Sequence, residues 1–216
     1  MDYIERTSLV KAAHSTLTPI AIMALALLRE DDMHPYEMIR LLRHRRDDRM
    51  VAITNGTFYH TIARLQRAGL IDEVGSDRDG NRPERTTYTL LPAGAEAVRA
   101  WLRAELPRVD HPIEFRVALA EAHNLEREEV IDLLQQRATE LDADYAEHRT
   151  GLAAARADGV PEQYLIEVER QEALLAAETR WLHQAIDRFS DPGYAWGGDP
   201  KPHESTYRAQ REAARS

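Results

Sequence analysis

The chain contains no cysteine, which removes a disulfide framework, a thiol nucleophile and a cysteine-ligated zinc together. That absence fits a reducing compartment. Aromatic residues are sparse at 6%, but the hydrophobic fraction of 43% is enough for a core and argues against general disorder. No apolar run approaches the roughly 20 residues needed to cross a bilayer. The longest, residues 19–28, is interrupted by alanines and followed by Arg29-Glu30-Asp31-Asp32. The N-terminus lacks the basic-then-apolar order of a secretory signal. A soluble cytoplasmic protein is therefore expected. Catalytic signatures are missing too. The 9 histidines form neither H-E-x-x-H nor any paired metal spacing. Serine, histidine and aspartate occur without a nucleophile elbow, and no glycine-rich phosphate loop is present. The reading is no enzyme, no metal and no cofactor.

What is present divides in two. The 216 residues fit one ordinary domain or two small ones, and the net charge is −9. Residues 1–110 carry 16 basic and 16 acidic side chains, whereas residues 111–216 carry 12 and 21. The whole acidic excess thus lies in the second half, so the halves have different electrostatic tasks. A neutral first half can still carry a basic surface, because binding to a polyanion depends on local clustering.

Residues 54–71 supply such a cluster. Thr54-Asn55 is a helix N-cap pattern, because either side-chain oxygen can accept from the unpaired amides of a first turn. Phe58, Ile62 and Leu65 recur at i, i+4 and i+7 and share one face. Gly69 supplies the left-handed residue that ends the helix. The opposite face holds Asn55, Thr57, Tyr59, His60, Ala63, Arg64 and Gln66 or Arg67. No Asp or Glu occurs from Thr54 to Ile71. A solvated face normally mixes both signs, so an acid-free one asks for an anionic partner.

Around that helix the chain reads as follows. Residues 1–17 are an arm or a short helix. Thr18-Pro19 caps a first helix with Ile20, Met23, Ala24, Leu27 and Leu28 inward. Pro35 opens a second helix to about His44, with Tyr36, Ile39 and Leu42 or Met38 inward. Beyond Gly69 the period changes from 3.6 to 2. Residues 70–74 and 85–90 make two strands around a turn-rich tip bearing Arg78 and Arg82, with Arg85 beside it. A helix from Pro92 to Leu106 follows, with Val98, Trp101 and Leu102 inward, and Pro107 closes it. Three helices, a hairpin and a further helix make a winged helix-turn-helix over residues 18–107. In that arrangement the third helix enters the DNA major groove and the second braces it. His60 and Arg64 are then candidates to reach base edges. Asn55, Thr57 and Tyr59 are candidates for phosphate contact, and which of the five touch bases stays open. Tyr36, Thr54, Arg78, Arg82 and Arg85 complete the DNA-binding set. Tyr88 is read as a packed strand residue.

Residues 24–91 resemble the PadR family of bacterial transcriptional regulators. The resemblance rests on His34-Pro35-Tyr36-Glu37, Asn55-Gly56-Thr57-Phe58-Tyr59 and Arg64-Leu65-Gln66-Arg67-Ala68-Gly69-Leu70-Ile71. The wing, from Asn81-Arg82-Pro83 to Thr87-Tyr88-Thr89-Leu90, and Gly94 extend it. The chain departs from the family pattern at Pro35, usually Gly, and at Asn55, usually Pro. The resemblance implies a DNA-binding regulator, commonly a repressor, with a C-terminal helical dimerisation domain. It also implies that an aromatic small molecule can bind near the junction of the two regions, which makes Trp101 and Trp181 candidate effector residues. The competing reading places both tryptophans in interface core.

The second half is expected to be mainly helical. Residues 112–125 form a helix with Phe115, Val117, Ala118 and Leu119. Across residues 128–156 a heptad places Ile131, Ala138, Tyr145 and Leu152 on one seam and Leu134, Leu141, His148 and Ala155 on the other. Residues 158–161 break the helix. Residues 161–189 then carry Val168, Leu175, Leu182 and Phe189 seven apart, flanked by Leu174, Trp181 and Ile186. The two make a long antiparallel helical hairpin whose stripes are wider than one partner helix needs. A homodimer through residues 108–189 is expected, with Ile131, Leu134, Leu141, Tyr145, Val168, Leu175, Trp181, Leu182 and Phe189 at its interface. Residues 190–216 read as a mostly disordered tail that can turn helical near residues 206–214. The fold class is thus mainly α with a small β-hairpin, a winged helix-turn-helix followed by a helical hairpin. The competing function is a winged-helix protein-interaction module that uses its acidic region as a scaffold and reads no DNA.

Overall fold

The computed structural model describes residues 17–77, 85–197, 209, 210 and 212. The expected N-terminal arm, the wing-tip arginines Arg78 and Arg82, and most of residues 198–216 lie outside them. Arg85 is described through its backbone alone. The described chain forms two compact units. Among the described residues, one comprises 17–105, 112–124 and those from 197 onward, and the other 106–111 with 125–196. Residues 112–124, which the sequence groups with the C-terminal region, pack in the first unit.

The first unit is built around α1 (Pro19–Glu30). Thr18 caps it, its hydroxyl accepting from the Ala21 amide at 3.4 Å, and Pro19 takes the position where a missing N–H costs nothing. The inward set expected from periodicity is present but is only part of what is buried, since residues 20–25, 27 and 28 are all buried. A helix apolar on every side belongs in the middle of a domain. Around α1 pack α3 (Asn55–Arg67), α4 (Pro92–Glu105), α5 (Pro112–Ala120) and strand β2 (Arg85–Leu90). A short 3-10 turn, Ala122–Asn124, follows α5.

Helix α2 (Pro35–His44) lies against α3. Met38, Ile39 and Leu42 are buried as expected, but Tyr36 is 47% exposed. Tyr36 sits in the first turn, where Pro35 and Glu37 take the buried positions, so the inward placement is corrected. Strand β1 (Ile71–Asp77) pairs antiparallel with β2, from Ile71 opposite Leu90 to Asp77 opposite Arg85, with a bulge between Glu73 and Gly75. Met33, in the α1–α2 turn, adds a bridge to Tyr88, each amide donating to the other's carbonyl at 3.1 Å. Tyr88 is half-buried as a strand residue, in line with its expected packing role. Gly94 lets α4 approach the α3–β1 turn closely. A Cβ there would stand 2.3 Å from the Leu70 carbonyl oxygen and 2.7 Å from a Leu90 methyl carbon.

The second unit is an antiparallel hairpin of α6 (Arg127–Ala157) and α7 (Ile166–Ser190). The expected helix start at Pro161 is delayed by a 3-10 turn, Glu162–Tyr164. Leu134, Leu141, Leu152, Leu175 and Leu182 are buried within this single hairpin. Arg137, 2% exposed, ties it by donating to the Arg108 carbonyl and, at 2.6 Å, to Glu178 Oε1. Residues 191–197 are not a loose tail. Tyr194 and Trp196 stack around Phe189 at ring-centroid distances of 5.2 Å each, and the Trp196 indole N–H donates to the Leu125 carbonyl at 3.0 Å.

Candidate nucleic-acid interface

Helix α3 has the cap its sequence announces. The Thr54 hydroxyl accepts from the Thr57 amide at 3.2 Å and donates to the Thr57 hydroxyl at 2.9 Å. Phe58, Ile62 and Leu65 are buried, so the helix orientation about its axis is fixed. Thr61, also buried, satisfies its hydroxyl on the Thr57 carbonyl at 2.9 Å. The C-terminus closes as a paired turn: the Gly69 amide reaches the Gln66 carbonyl at 2.9 Å and the Leu70 amide the Leu65 carbonyl at 3.1 Å. Gly69 takes φ of 69°, which only a residue without a Cβ adopts freely.

This orientation leaves Asn55, Thr57, Tyr59, His60, Ala63, Arg64 and Arg67 exposed, together with Thr54. Gln66, the alternative to Arg67 on that face, is half-buried and drawn aside by Glu73 Oε1 at 2.8 Å. Seven of the proposed DNA-binding residues are therefore brought onto one surface: Tyr36, Thr54, Asn55, Thr57, Tyr59, His60 and Arg64. The three wing arginines are not placed with them, because two lie outside the described residues and Arg85 is fixed only in its backbone. On the strand, the Tyr88 phenol is pushed up from its ordinary value, first by burial and then by the Glu73 carboxylate.

Two further side chains belong to this surface. On α2, Arg40 lies over the Tyr36 ring at 5.7 Å, and Arg43 donates to Asn55 Oδ1 at 3.4 Å. Tyr36, Arg40 and Arg43 follow the i, i+4, i+7 pattern, so this stripe is legible in the sequence, although it falls outside the acid-free run of α3. Glu37, the one acid of α2, is buried. The exposed faces of α2 and α3 together carry no carboxylate. The two helices also meet at His34, whose Nδ1 caps α2 by accepting from the Tyr36 amide at 3.1 Å and whose ring meets that of Tyr59 edge-on at 6.5 Å. That cap requires Nδ1 to carry no proton.

The tryptophans and the seam residues differ in how far the single chain buries them. Trp101 is 4% exposed and belongs to the core of the first unit. Trp181 is 38% exposed on α7. Leu134, Leu141, Leu175 and Leu182 spend their apolar surface on the partner helix of their own chain. Phe189 is covered by Tyr194 and Trp196. Ile131, Tyr145 and Val168 are half-buried. Among the described residues, no helix is long and apolar enough to cross a membrane, and no group of three His, Asp or Glu could hold a metal ion.

A bracing helix, a capped helix with an acid-free face and a two-stranded hairpin behind it define a winged helix-turn-helix protein. Residues 24–100 match the model of the Transcriptional regulator PadR-like family. No curated protein matches the chain at a significant level. Among solved structures, it is similar to Bacillus subtilis PadR in complex with operator DNA, at 17% identity and a TM-score of 0.38. The similarity covers 81% of this chain and 99% of that one. It is also similar to smu.1604c from Streptococcus mutans UA159, at 15% identity and a TM-score of 0.36, covering 80% and 99%.

Proposed function

We propose that this PadR-like protein is a sequence-specific DNA-binding transcriptional regulator that acts as a homodimer and represses its target. The observation that carries the reading is the acid-free exposed surface shared by α2 and α3. A phosphate backbone rewards such a surface through released counterions, and an unpaired row of carboxylates would forfeit that gain. Arg64 and His60 lie mid-helix, where base edges are reached, and Thr54, Asn55 and Thr57 lie at the tip, where backbone phosphates are met.

The homodimer rests on α7. Leu174 is 47% exposed and lies seven residues from Trp181, an apolar pair left over after the hairpin has packed itself. Two recognition helices in one dimer would meet successive major grooves about 34 Å apart on a palindromic site. An aromatic effector that shifts this spacing would have to bind the two dimer arrangements with different affinity. Trp181 is the tryptophan exposed enough to take part, and its emission would report such binding.

The test is an electrophoretic shift against the DNA upstream of the protein's own gene, repeated as salt rises. Binding that weakens steeply with salt is the expected result. Replacing Arg64 with Ala should lower the preference for that DNA over random sequence. Replacing Arg82 or Arg85 should weaken both alike. Absence of any shift at low salt would favour the scaffold reading instead.

A further inference from the structure

The hydrogen bond between Arg43 and Asn55 joins the two helices of the helix-turn-helix at their outer surface. Arg43 belongs to the last turn of α2, and Asn55 is the first residue of α3. Both side chains are exposed, and the bond between them, Nη2 to Oδ1 at 3.4 Å, contributes little to stability. Asn55 is not needed as a cap, because Thr54 already serves the Thr57 amide. Its side chain therefore has another use, and its one described partner is the guanidinium.

We propose that Asn55 is a positioning residue, whose side-chain carbonyl holds the Arg43 guanidinium beside the tip of α3 so that both side chains meet one DNA backbone phosphate. The chemistry of the pair suits that task. The bond takes one of the five N–H donors of the guanidinium and leaves the rest of the planar fork for a phosphate. The Asn55 Oδ1 faces Arg43, so the Asn55 amide NH2 is left as a second donor toward the same anion. An untethered arginine on an exposed helix end would lose rotamer freedom when it binds, and the bond to Asn55 has already restricted it. A proline at this position, as in the pattern the family resemblance implies, would have neither the acceptor nor the donor.

This inference rests on the DNA-binding reading and can fail without it. The assay is fluorescence anisotropy of the full chain with a labelled random-sequence duplex, at several salt concentrations up to roughly 0.2 M. Random sequence isolates backbone contact from base reading. The proteins compared are the unsubstituted chain, Arg43→Gln, Asn55→Ala and the double variant, with far-UV circular dichroism confirming that each is folded. Arg43→Gln should weaken binding roughly 10-fold and reduce the slope of log K against log salt by about 0.9, the signature of one phosphate fewer being neutralised. Asn55→Ala should reduce the slope by a similar amount although it removes no charge, and the double variant should lose clearly less than the sum of the two single losses. A merely structural asparagine would leave the slope unchanged. An unchanged slope for Asn55→Ala, or losses that add in the double variant, would overturn the positioning role while leaving DNA binding intact. If the unsubstituted chain shows no salt-dependent binding at all, the DNA-binding reading falls together with this inference.

Discussion

Replacing Glu121 with Gln should stabilise the winged-helix unit at alkaline pH and leave it unchanged in acid. Glu121 follows α5 and lines a polar cavity of about 230 Å³ together with Glu30, Arg45, Asp47 and His123. Within it Arg45 is committed to Glu30 through two bonds of 2.5 and 2.7 Å, and its third nitrogen donates to Gln210 at 3.2 Å. Arg29 is committed to the Asn124 side chain. Glu121 is left with Asn124, whose amide donates to its carboxylate at 3.2 Å. Burial raises the Glu121 carboxyl from 4.5 to about 7, with the charges of Glu30 and Asp47 adding to the rise and Asn124 and Arg45 opposing it. Asp47 is raised as well, chiefly by burial. A carboxyl whose folded value is raised binds its proton more tightly in the folded state. Its stabilising contribution is complete below about pH 4.5 and is lost as the pH climbs to about 7. At about 1.4 kcal/mol per pKa unit, the loss approaches ~3 kcal/mol.

Glutamine keeps the shape and the acceptor for Asn124 but cannot ionise, so the variant escapes the loss. Urea unfolding between about pH 4 and pH 8.5 measures it. Trp101 is the one tryptophan of this unit, and with Trp181 and Trp196 changed to Phe its emission reports the unit alone. The difference between the two proteins should grow from near zero to ~3 kcal/mol across that window. His123, held below its ordinary value mainly by burial, titrates in both proteins and cancels from the difference. Parallel curves across the whole range would refute the reasoning, because Glu121 would then be no more costly to ionise in the folded unit than in the unfolded chain.

Other perturbations have simpler magnitudes. Gly94→Ala puts a carbon where the Leu70 carbonyl and a Leu90 methyl already stand, so α4 must back away, at a cost of ~1–3 kcal/mol in a urea titration. A titration matching the parent protein would mean that the α3–β1 turn yields freely. Thr54→Ala removes the cap of α3 and should cost ~1 kcal/mol, while DNA affinity falls further than that if the Thr54 hydroxyl also meets a phosphate. Leu174→Glu combined with Trp181→Glu should move the protein from dimer to monomer in sedimentation equilibrium without loss of helicity. The residues packing the hairpin itself, Leu134, Leu141, Leu175 and Leu182, are untouched by that change.

The sequence disclosed α3 almost completely because its signals agree: a cap, a 3.6-residue apolar period and a closing glycine all bound one element. It misplaced Tyr36, since residues in a first turn lie where the apolar stripe of a short helix is poorly defined. The heptads of α6 and α7 mark packing surfaces correctly but do not say whose helix they meet. A repeat of Leu141 or Leu182 says that a helix lies opposite, and the same stripe serves a helix of its own chain or of another. Phe189 shows the same ambiguity, as its cover comes from Tyr194 and Trp196 a few residues on. The cavity around Glu121 left no trace in the sequence, because Glu30, Asp47 and Glu121 come from the end of α1, the turn after α2 and the end of α5 and meet only in the packed unit.

That cavity also explains how a half-chain with balanced charge presents a basic face. Several acids of the first unit are drawn inward or held by partners. Glu37 is buried in α2, Glu30 is clamped by Arg45, Asp47 and Glu121 line the cavity, and Glu96 accepts from Arg99 and Arg103 at 2.8 and 3.4 Å. The guanidinium groups of Arg43, Arg64 and Arg67 meanwhile stand on the surface of α2 and α3, which carries no exposed carboxylate. Acids such as Asp31, Asp32, Asp48, Asp72 and Glu73 stay exposed but lie off α2 and α3, so the charges are separated in space by position as well as by burial. The cost of that separation is carried by the raised carboxyls of Asp47 and Glu121. Substitutions that neutralise those two acids should therefore leave the α2–α3 surface unaltered and the unit more stable above about pH 7, whereas a new acid on α3, such as Ala63→Glu, should abolish DNA binding without loss of stability.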